Sequence, residues 1–262
     1  MAALAAVVSC QPPVTDRSTV DASPASSNAT VIAVRDGDTV EVDVDSNGSI
    51  DVRLVGINAP ENDECHHRQS REYLAERVEG KRILLETTGT DQFGRALGHI
   101  WVGSDHVNVE LVRKGFAIAT TPNESDPFGD LLLSAEADAA RSGAGLWSVN
   151  ACGASGSLPE VSITRVDENP QGPDDQHIEH ESVTITNNGE DDVDLSGWIL
   201  RDESSRHRYR FPPGTTLAAG GRLIVTSAAP AWDPGGSPVW NNSGDLVLLT
   251  EATGRVVDSV RY

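Results

Sequence analysis

The sequence predicts a mainly β protein in two modules, a mixed unit of short strands and three helices followed by a β-sandwich. Three observations carry this expectation. A chain of 262 residues is long for one average domain. Hydrophobic residues make up 38% and aromatics only 5%, with 24 Gly and 14 Pro, a composition suited to short strands and many turns. A Gly/Ser/Pro-rich stretch, Gly153 to Pro159, separates a region of mixed periodicity from one made of short β runs alone.

In the first module, Val31-Ile32-Ala33-Val34 reads as a strand leading into the turn Arg35-Asp36-Gly37-Asp38, after which Val40, Val42 and Val44 alternate on one face. Asn47-Gly48 is a hairpin signal, and Ile50 to Ile57 supplies the returning strand. Residues 66–79 carry Tyr73, Leu74 and Val78 at helical spacing and stop at Gly80. Strands are expected at Arg82 to Glu86 and Leu97 to Val102, joined by the turn-rich Gly89 to Gly94. Helices follow at Val107 to Lys114 and at residues 130–141. Beyond the boundary, runs at Val161 to Val166, Ser182 to Asn187, Trp198 to Arg201, Arg222 to Thr226, Leu246 to Thr250 and Val256 to Arg261 are separated by turns, the pattern of a sandwich.

The formal charge of -20 repels a polyanion at long range, so any nucleic-acid binding has to come from a local arginine cluster and a bridging cation. Composition by itself argues against a nuclease. Met1 to Ser9 is small, apolar and short, and with Cys10 it reads as the tail of an export signal of bacterial lipoprotein type. That expectation places the protein outside the cell or anchored at its surface through a lipidated Cys10. With Cys10 set aside, Cys65 and Cys152 form an even pair that would join in an oxidising compartment, stabilising the fold by about 2 to 4 kcal/mol; the alternative is two buried thiols.

Three stretches gather residues of the kind that phosphodiester hydrolysis needs: DGDTV (Asp36 to Val40), RLVGINAPE (Arg53 to Glu61) and DQFGR (Asp91 to Arg95). The reaction requires an activated water, neutralised phosphate oxygens and stabilisation of the charge that builds in the transition state. Asp38 offers a hard oxygen ligand for calcium, Glu61 a base for water, and the arginines a fork for phosphate. Singly, these residues have ordinary readings: Asp36-Gly37-Asp38 as a turn, Arg53 as a strand arginine, Glu61 as a surface carboxylate. Cys65-His66-His67 has zinc-ligand chemistry, but adjacent residues do not easily turn to one metal and a fourth ligand at suitable spacing is lacking.

Taken in order, the three motifs together with VNVELVRKGFA (Val107 to Ala117) and AEADAARSGAGLW (Ala135 to Trp147) resemble the staphylococcal nuclease (thermonuclease) family. The resemblance implies a five-stranded OB-type barrel with three helices that hydrolyses DNA or RNA and leaves a 3'-phosphate. It further implies catalytic roles for Arg53, Arg95 and the general base Glu61. Calcium would be held by Asp38, by residue 58 and by the backbone carbonyl of Ala59, with Asp36 acting from behind. Two departures stand out. Asn58 occupies a position where the family usually has Asp, which removes one negative charge from the metal site. Tyrosines are absent near the pocket: Phe93, which precedes Gly94-Arg95, keeps a stacking ring for a base without the phenol, and the segment Ala119 to Pro122 has none.

Residues 158–262, with ESVTITNNGEDDVDLSGWILRD (Glu181 to Asp202) and WNNSGDLVLLTEATGRVVDSVRY (Trp240 to Tyr262), resemble a lamin-tail domain, which implies an immunoglobulin-like sandwich without catalytic residues and places Trp198 in its core. The expected organisation is an export remnant over 1–10, a linker over 11–28, the nuclease-like domain over 29–150, a linker over 151–158 and the lamin-tail domain over 159–262. The leading expectation is an exported, monomeric, calcium-dependent nuclease acting on DNA or RNA. Two rivals differ in class: a nucleic-acid or protein binding module whose metal site is lost at Asn58, and a surface adhesion protein working through the lamin-tail domain.

Overall fold

The structure is a computed structural model that describes residues 27–45, 48–121, 126–168, 181–204, 206–236 and 238–262. The export segment with Cys10, most of the tether before residue 28, and the segment from Asn169 to His180 lie outside the described residues.

The first module runs β1 (Ala29–Asp36), β2 (Thr39–Val44), β3 (Gly48–Leu54), β4 (Ile57–Asn58), α1 (His67–Val78), β5 (Arg82–Thr90), β6 (Ala96–Val102), β7 (Asp105–His106), α2 (Val107–Arg113), β8 (Ile118–Ala119) and α3 (Gly129–Ser142). Strand β1 pairs antiparallel with β2 and β5, β2 with β3, and β5 with β6. A parallel contact of β3 with β6 (Val52 with Ala96, Arg53 with Leu97) then closes five strands into a barrel. Two irregularities of register in β1 provide the extra local twist that closure demands. Alternation places Val31, Val40, Val42, Val52 and Leu54 inside, where Leu74 and Val78 of α1 and Leu111 of α2 meet them.

The sequence pattern extended the third strand to Ile57, but the strand ends at Leu54. Gly56 takes φ +75, a left-handed conformation that breaks the strand, and Ile57-Asn58 resumes as β4 against β8. Strand β5 reaches Thr90, so the connecting turn contracts to Asp91 to Gly94.

The second module contains β9 (Val161–Asp167), β10 (Ser182–Asn187), β11 (Val193–Asp194), β12 (Ile199–Arg201), β13 (Arg208–Arg210), β14 (Thr216–Leu217), β15 (Arg222–Thr226), β16 (Trp232–Asp233), β17 (Leu246–Thr250) and β18 (Val256–Arg261). A three-stranded sheet ordered β15-β10-β9 faces a five-stranded sheet ordered β16-β13-β12-β17-β18, an immunoglobulin-like sandwich. Trp198, Phe211, Trp232 and Trp240 sit in its core, as expected for Trp198.

The run Leu246-Val247-Leu248-Leu249 is continuously apolar, unlike a half-exposed strand, because β17 is buried on both faces. Val247 and Leu249 enter the sandwich core, while Leu246 and Leu248 pack on Ile118 and Leu146 of the barrel module. Around this apolar contact, Arg261 Nη2 lies 2.9 Å from Glu136 Oε2 and its Nη1 lies 3.1 Å from Glu203 Oε2. Both carboxylate oxygens of Glu203 accept from the backbone N–H of Thr121 at 2.8 Å. Cys65 and Cys152 form a disulfide across a sequence separation of 87, so the paired alternative is the one found.

A polar chain links β6, β7 and the segment before α3. His106 Nε2 is 3.1 Å from His99 Nδ1, and His99 Nε2 is 3.2 Å from Asp126 Oδ1. Burial, helped by His99, pulls the His106 pKa down to about 3, so the folded protein holds a neutral ring stacked on Trp101. Stability from this depressed pKa is whole above the ordinary histidine value of 6.5 and is lost as pH falls toward about 3. A His106→Phe variant, which keeps the stack and cannot titrate, is expected to gain at least about 1 kcal/mol on wild type between pH 7 and pH 4, read by urea unfolding at each pH. A gap that does not change with pH would refute the assignment.

Candidate active site

The turn Asp36-Gly37-Asp38 is clamped from outside. A Cβ at Gly37 would lie 2.6 Å from Ser70 Oγ and 2.7 Å from Ala59 Cβ, so only glycine lets the turn press against α1 and the segment after β4. This close approach brings Asp38 to the backbone of Ala59, whose N–H donates to Asp38 Oδ2 at 2.8 Å. Thr39 Oγ1 donates to Asp38 Oδ1 at 3.1 Å. Asp38 is only 6% exposed. Burial pushes its carboxyl pKa up, and the pull of Arg53 and of the Ala59 N–H does not fully reverse that. Asp36 turns its Oδ1 to the Gly37 N–H at 2.6 Å and lies 3.3 Å from His67 Nδ1.

Thr39 and Arg53 are cross-strand partners in β2 and β3, which sets the arginine beside the turn. Arg53 Nη1 donates to the carbonyls of Leu54 at 2.7 Å and Ile57 at 2.9 Å. Its Nη2 donates to Asn58 Oδ1 at 2.9 Å and lies 3.0 Å from Asp38 Oδ2. Among the described residues, only its Nε–H lacks a protein acceptor.

Asn58 explains its own departure from Asp. Its Oδ1 accepts from Arg53, and its Nδ2 donates to the Glu203 carbonyl of the sandwich at 3.1 Å. A carboxylate there would face a carbonyl oxygen with nothing to donate. The amide is the chemistry that lets the second module sit against the site.

Arg95 lies just before Ala96, whose partner is Val52, so its backbone runs beside β3. Asp91 organises that turn. Its Oδ1 accepts the N–H groups of Phe93 and Arg95 at 2.9 Å, and its Oδ2 accepts Arg95 Nε at 2.7 Å. Burial opposes the ionised Asp91, yet the hydrogen bonds and charge of Arg95 with the Phe93 N–H hold its pKa below the usual range. Both terminal nitrogens of Arg95 stay without hydrogen bonds among the described residues. Phe93 is 75% exposed with the guanidinium 5.6 Å from its ring centroid.

Glu61 follows Ala59 by two residues. Its backbone N–H donates to Glu64 Oε2 at 3.0 Å, while its carboxylate makes no hydrogen bond or ion pair among the described residues. Asp38, Arg53, Asn58 and Ala59 are thus joined directly; among the described residues no hydrogen bond or ion pair links the side chains of Glu61 and Arg95 to them. Sequence reasoning missed Asp91 as the anchor of Arg95, although it stands in the quoted DQFGR, and missed Glu203, which directly follows the quoted Glu181 to Asp202. Zinc at Cys65-His66-His67 is disfavoured by the disulfide, which leaves Cys65 without a thiolate.

The class is defined by a closed five-stranded barrel with three helices, joined to an immunoglobulin-like sandwich, with a buried aspartate against a half-buried arginine and a second arginine held through Nε alone. The chain belongs to the staphylococcal nuclease homologue family, whose match covers residues 51–149, and a Lamin Tail Domain match covers residues 154–262. It is 33% identical over 120 residues to an uncharacterized endonuclease of Haemophilus influenzae, covering 46% of this chain and 66% of that protein. It is 34% identical over 119 residues to an uncharacterized endonuclease of Escherichia coli O157:H7, covering 45% of this chain and 75% of that protein. A thermonuclease of Staphylococcus intermedius is 27% identical over 122 residues, 44% of this chain and 72% of its own length.

The role of the Asn58 amide is directly testable. Asn58→Asp removes a buried donor and sets a second carboxylate beside Asp38, so unfolding free energy in chelator is expected to fall by about 1–3 kcal/mol. Urea denaturation giving an unchanged midpoint would show that the Glu203 contact carries no weight.

Proposed function

We propose that this protein is a calcium-dependent nuclease that hydrolyses phosphodiester bonds of DNA or RNA and leaves a 3'-phosphate. The observation that carries the reading is the juxtaposition of buried Asp38 with Arg53, Asn58 and Ala59 in a member of a nuclease family. The residues fit a divalent cation by donor type: a carboxylate, an amide oxygen and a backbone carbonyl are hard oxygens. Asp38 is the acid among them, and it is buried beside Arg53. Asp38, Asn58 and the Ala59 carbonyl would hold calcium, with Asp36 behind them. Calcium, when bound there, would supply Lewis-acid stabilisation of charge on phosphate oxygens. One charge fewer at residue 58 favours weaker binding than a two-aspartate site gives.

The chain's own groups divide the remaining work. Arg95, fixed through Nε by Asp91, presents two free terminal nitrogens that can fork onto non-bridging oxygens. Arg53, nearly saturated by protein acceptors, holds Asp38 and Asn58 in place and has its Nε–H left for a phosphate oxygen. Glu61, whose carboxylate has no partner among the described residues, takes the proton of the attacking water as the P–O5' bond breaks, and the departing 5'-oxygen is protonated from solvent. Phe93 offers a stacking face for a base. Export to an oxidising compartment is supported by the Cys65–Cys152 bridge, and lipid attachment at Cys10 rests on the apolar Met1 to Ser9 that precedes it.

A second reading, a binding module without turnover, is favoured by one observation: both ends of the Asn58 amide are already engaged. Calorimetry separates the two, because retained oligonucleotide affinity without calcium uptake supports the binding module.

Purified protein with calcium is expected to degrade single-stranded DNA or RNA, and a chelator to abolish this. Glu61→Gln should lower kcat by about 10²- to 10⁴-fold with KM little changed. Arg95→Lys should recover little of the loss in Arg95→Gln, because an ammonium cannot fork. Products without a 3'-phosphate, or cleavage indifferent to both chelator and Glu61→Gln, would overturn the mechanism.

A further inference from the structure

Glu61 sits in the middle of a segment that the sandwich grips at several points. On one side, the Asn58 amide is bonded to the Glu203 carbonyl. On the other, Glu64 closes the turn on Glu61 twice, its N–H donating to the Glu61 carbonyl at 2.8 Å and its Oε2 accepting the Glu61 N–H at 3.0 Å. The second oxygen of that carboxylate faces the sandwich: Glu64 Oε1 lies 3.2 Å from Arg208 Nη2 and 3.7 Å from Arg201 Nε. Arg208 Nη1 also donates to Asp63 Oδ2 at 3.0 Å. Cys65, the next residue, is tied to Cys152.

We propose that Arg208 and Arg201, acting through the Glu64 carboxylate, are positioning residues for the general base, so that the lamin-tail domain forms part of the nuclease active site. This rests on the assignment of Glu61 given above. The side chains of Glu64, Arg201 and Arg208 are 16%, 9% and 19% exposed, so these are not the solvated surface pairs that contribute next to nothing. The turn itself is poorly suited to hold a base still. Pro60 has no N–H to bond, Asn62 and Asp63 are exposed, and the Glu61 side chain has no internal partner among the described residues. A base displaced by about 1 Å can cost up to about 10²-fold in rate, so a brace on its backbone acts on turnover. Domain attachment alone does not account for the arrangement, because the Leu246 and Leu248 contact and the Arg261 pairs already join the modules elsewhere.

The test uses full-length protein. Arg208→Gln and Glu64→Gln are each expected to lower kcat about tenfold, with KM within twofold and the thermal midpoint within a few degrees. The double variant should lose less than the product of the two single losses, because the substitutions share one link. Arg208→Lys should restore part of the rate, and the exposed Arg206→Gln should change nothing, which excludes a general loss of attraction for polyanion. Hydrogen exchange at the Glu61 amide should quicken in Arg208→Gln, a readout independent of activity. Wild-type kcat in Arg208→Gln, a loss confined to KM, or unchanged exchange at Glu61 would overturn the brace. Wild-type cleavage insensitive to Glu61→Gln would instead remove the nuclease assignment, leaving the brace to be judged on exchange alone.

Discussion

A guanidinium taken largely out of water has to be met by acceptors on nearly every side, and much of this molecule is arranged around that demand at Arg53. Its Nη groups consume the Leu54 and Ile57 carbonyls, which the strand break at Gly56 turns toward it, together with the side chains of Asp38 and Asn58. Barrel closure between β3 and β6 sets Arg53 at that rim. Meeting the arginine draws Asn58 inward, and Asn58 in turn reaches the backbone of the second module. A requirement of hydrogen-bond satisfaction at one residue thus propagates from the barrel to the sandwich.

The two arginines of the site have unequal freedom. Arg53 is absorbed into the protein, whereas Arg95 is tethered by a single nitrogen and leaves its fork exposed. In a chain of net charge -20 this matters, because long-range attraction for a polyanion is absent. Local, preorganised donors have to supply the recognition, and Asp91 provides that preorganisation without occupying the groups that face outward.

The strands and helices of the barrel were legible because each follows an ordinary period: Val40, Val42 and Val44 alternate, and Leu74 and Val78 recur at helical spacing. The break at Gly56 was not, since β3 and β4 read as one apolar run until a left-handed glycine is seen to interrupt it. Short strands such as β11, β14 and β16 carry only two residues each, too few to show a period. At the site, Asp38, Arg53 and Asn58 were recognisable from motif order. Their linkage to Glu203, and that of Glu64 to Arg208, was hidden because separations of about 145 residues leave no local trace. The unbroken Leu246-Val247-Leu248-Leu249 reads in sequence simply as a strand, and only the structure shows that its lack of alternation reflects a strand covered twice.

That double covering makes the Gly/Ser/Pro-rich connector something other than a hinge. Severed there, one fragment would carry Ile118 and Leu146 bare to water and the other Leu246 and Leu248, each a greasy stripe in search of a lid. In this chain the two modules therefore shield each other, each covering the apolar stripe that the other would expose.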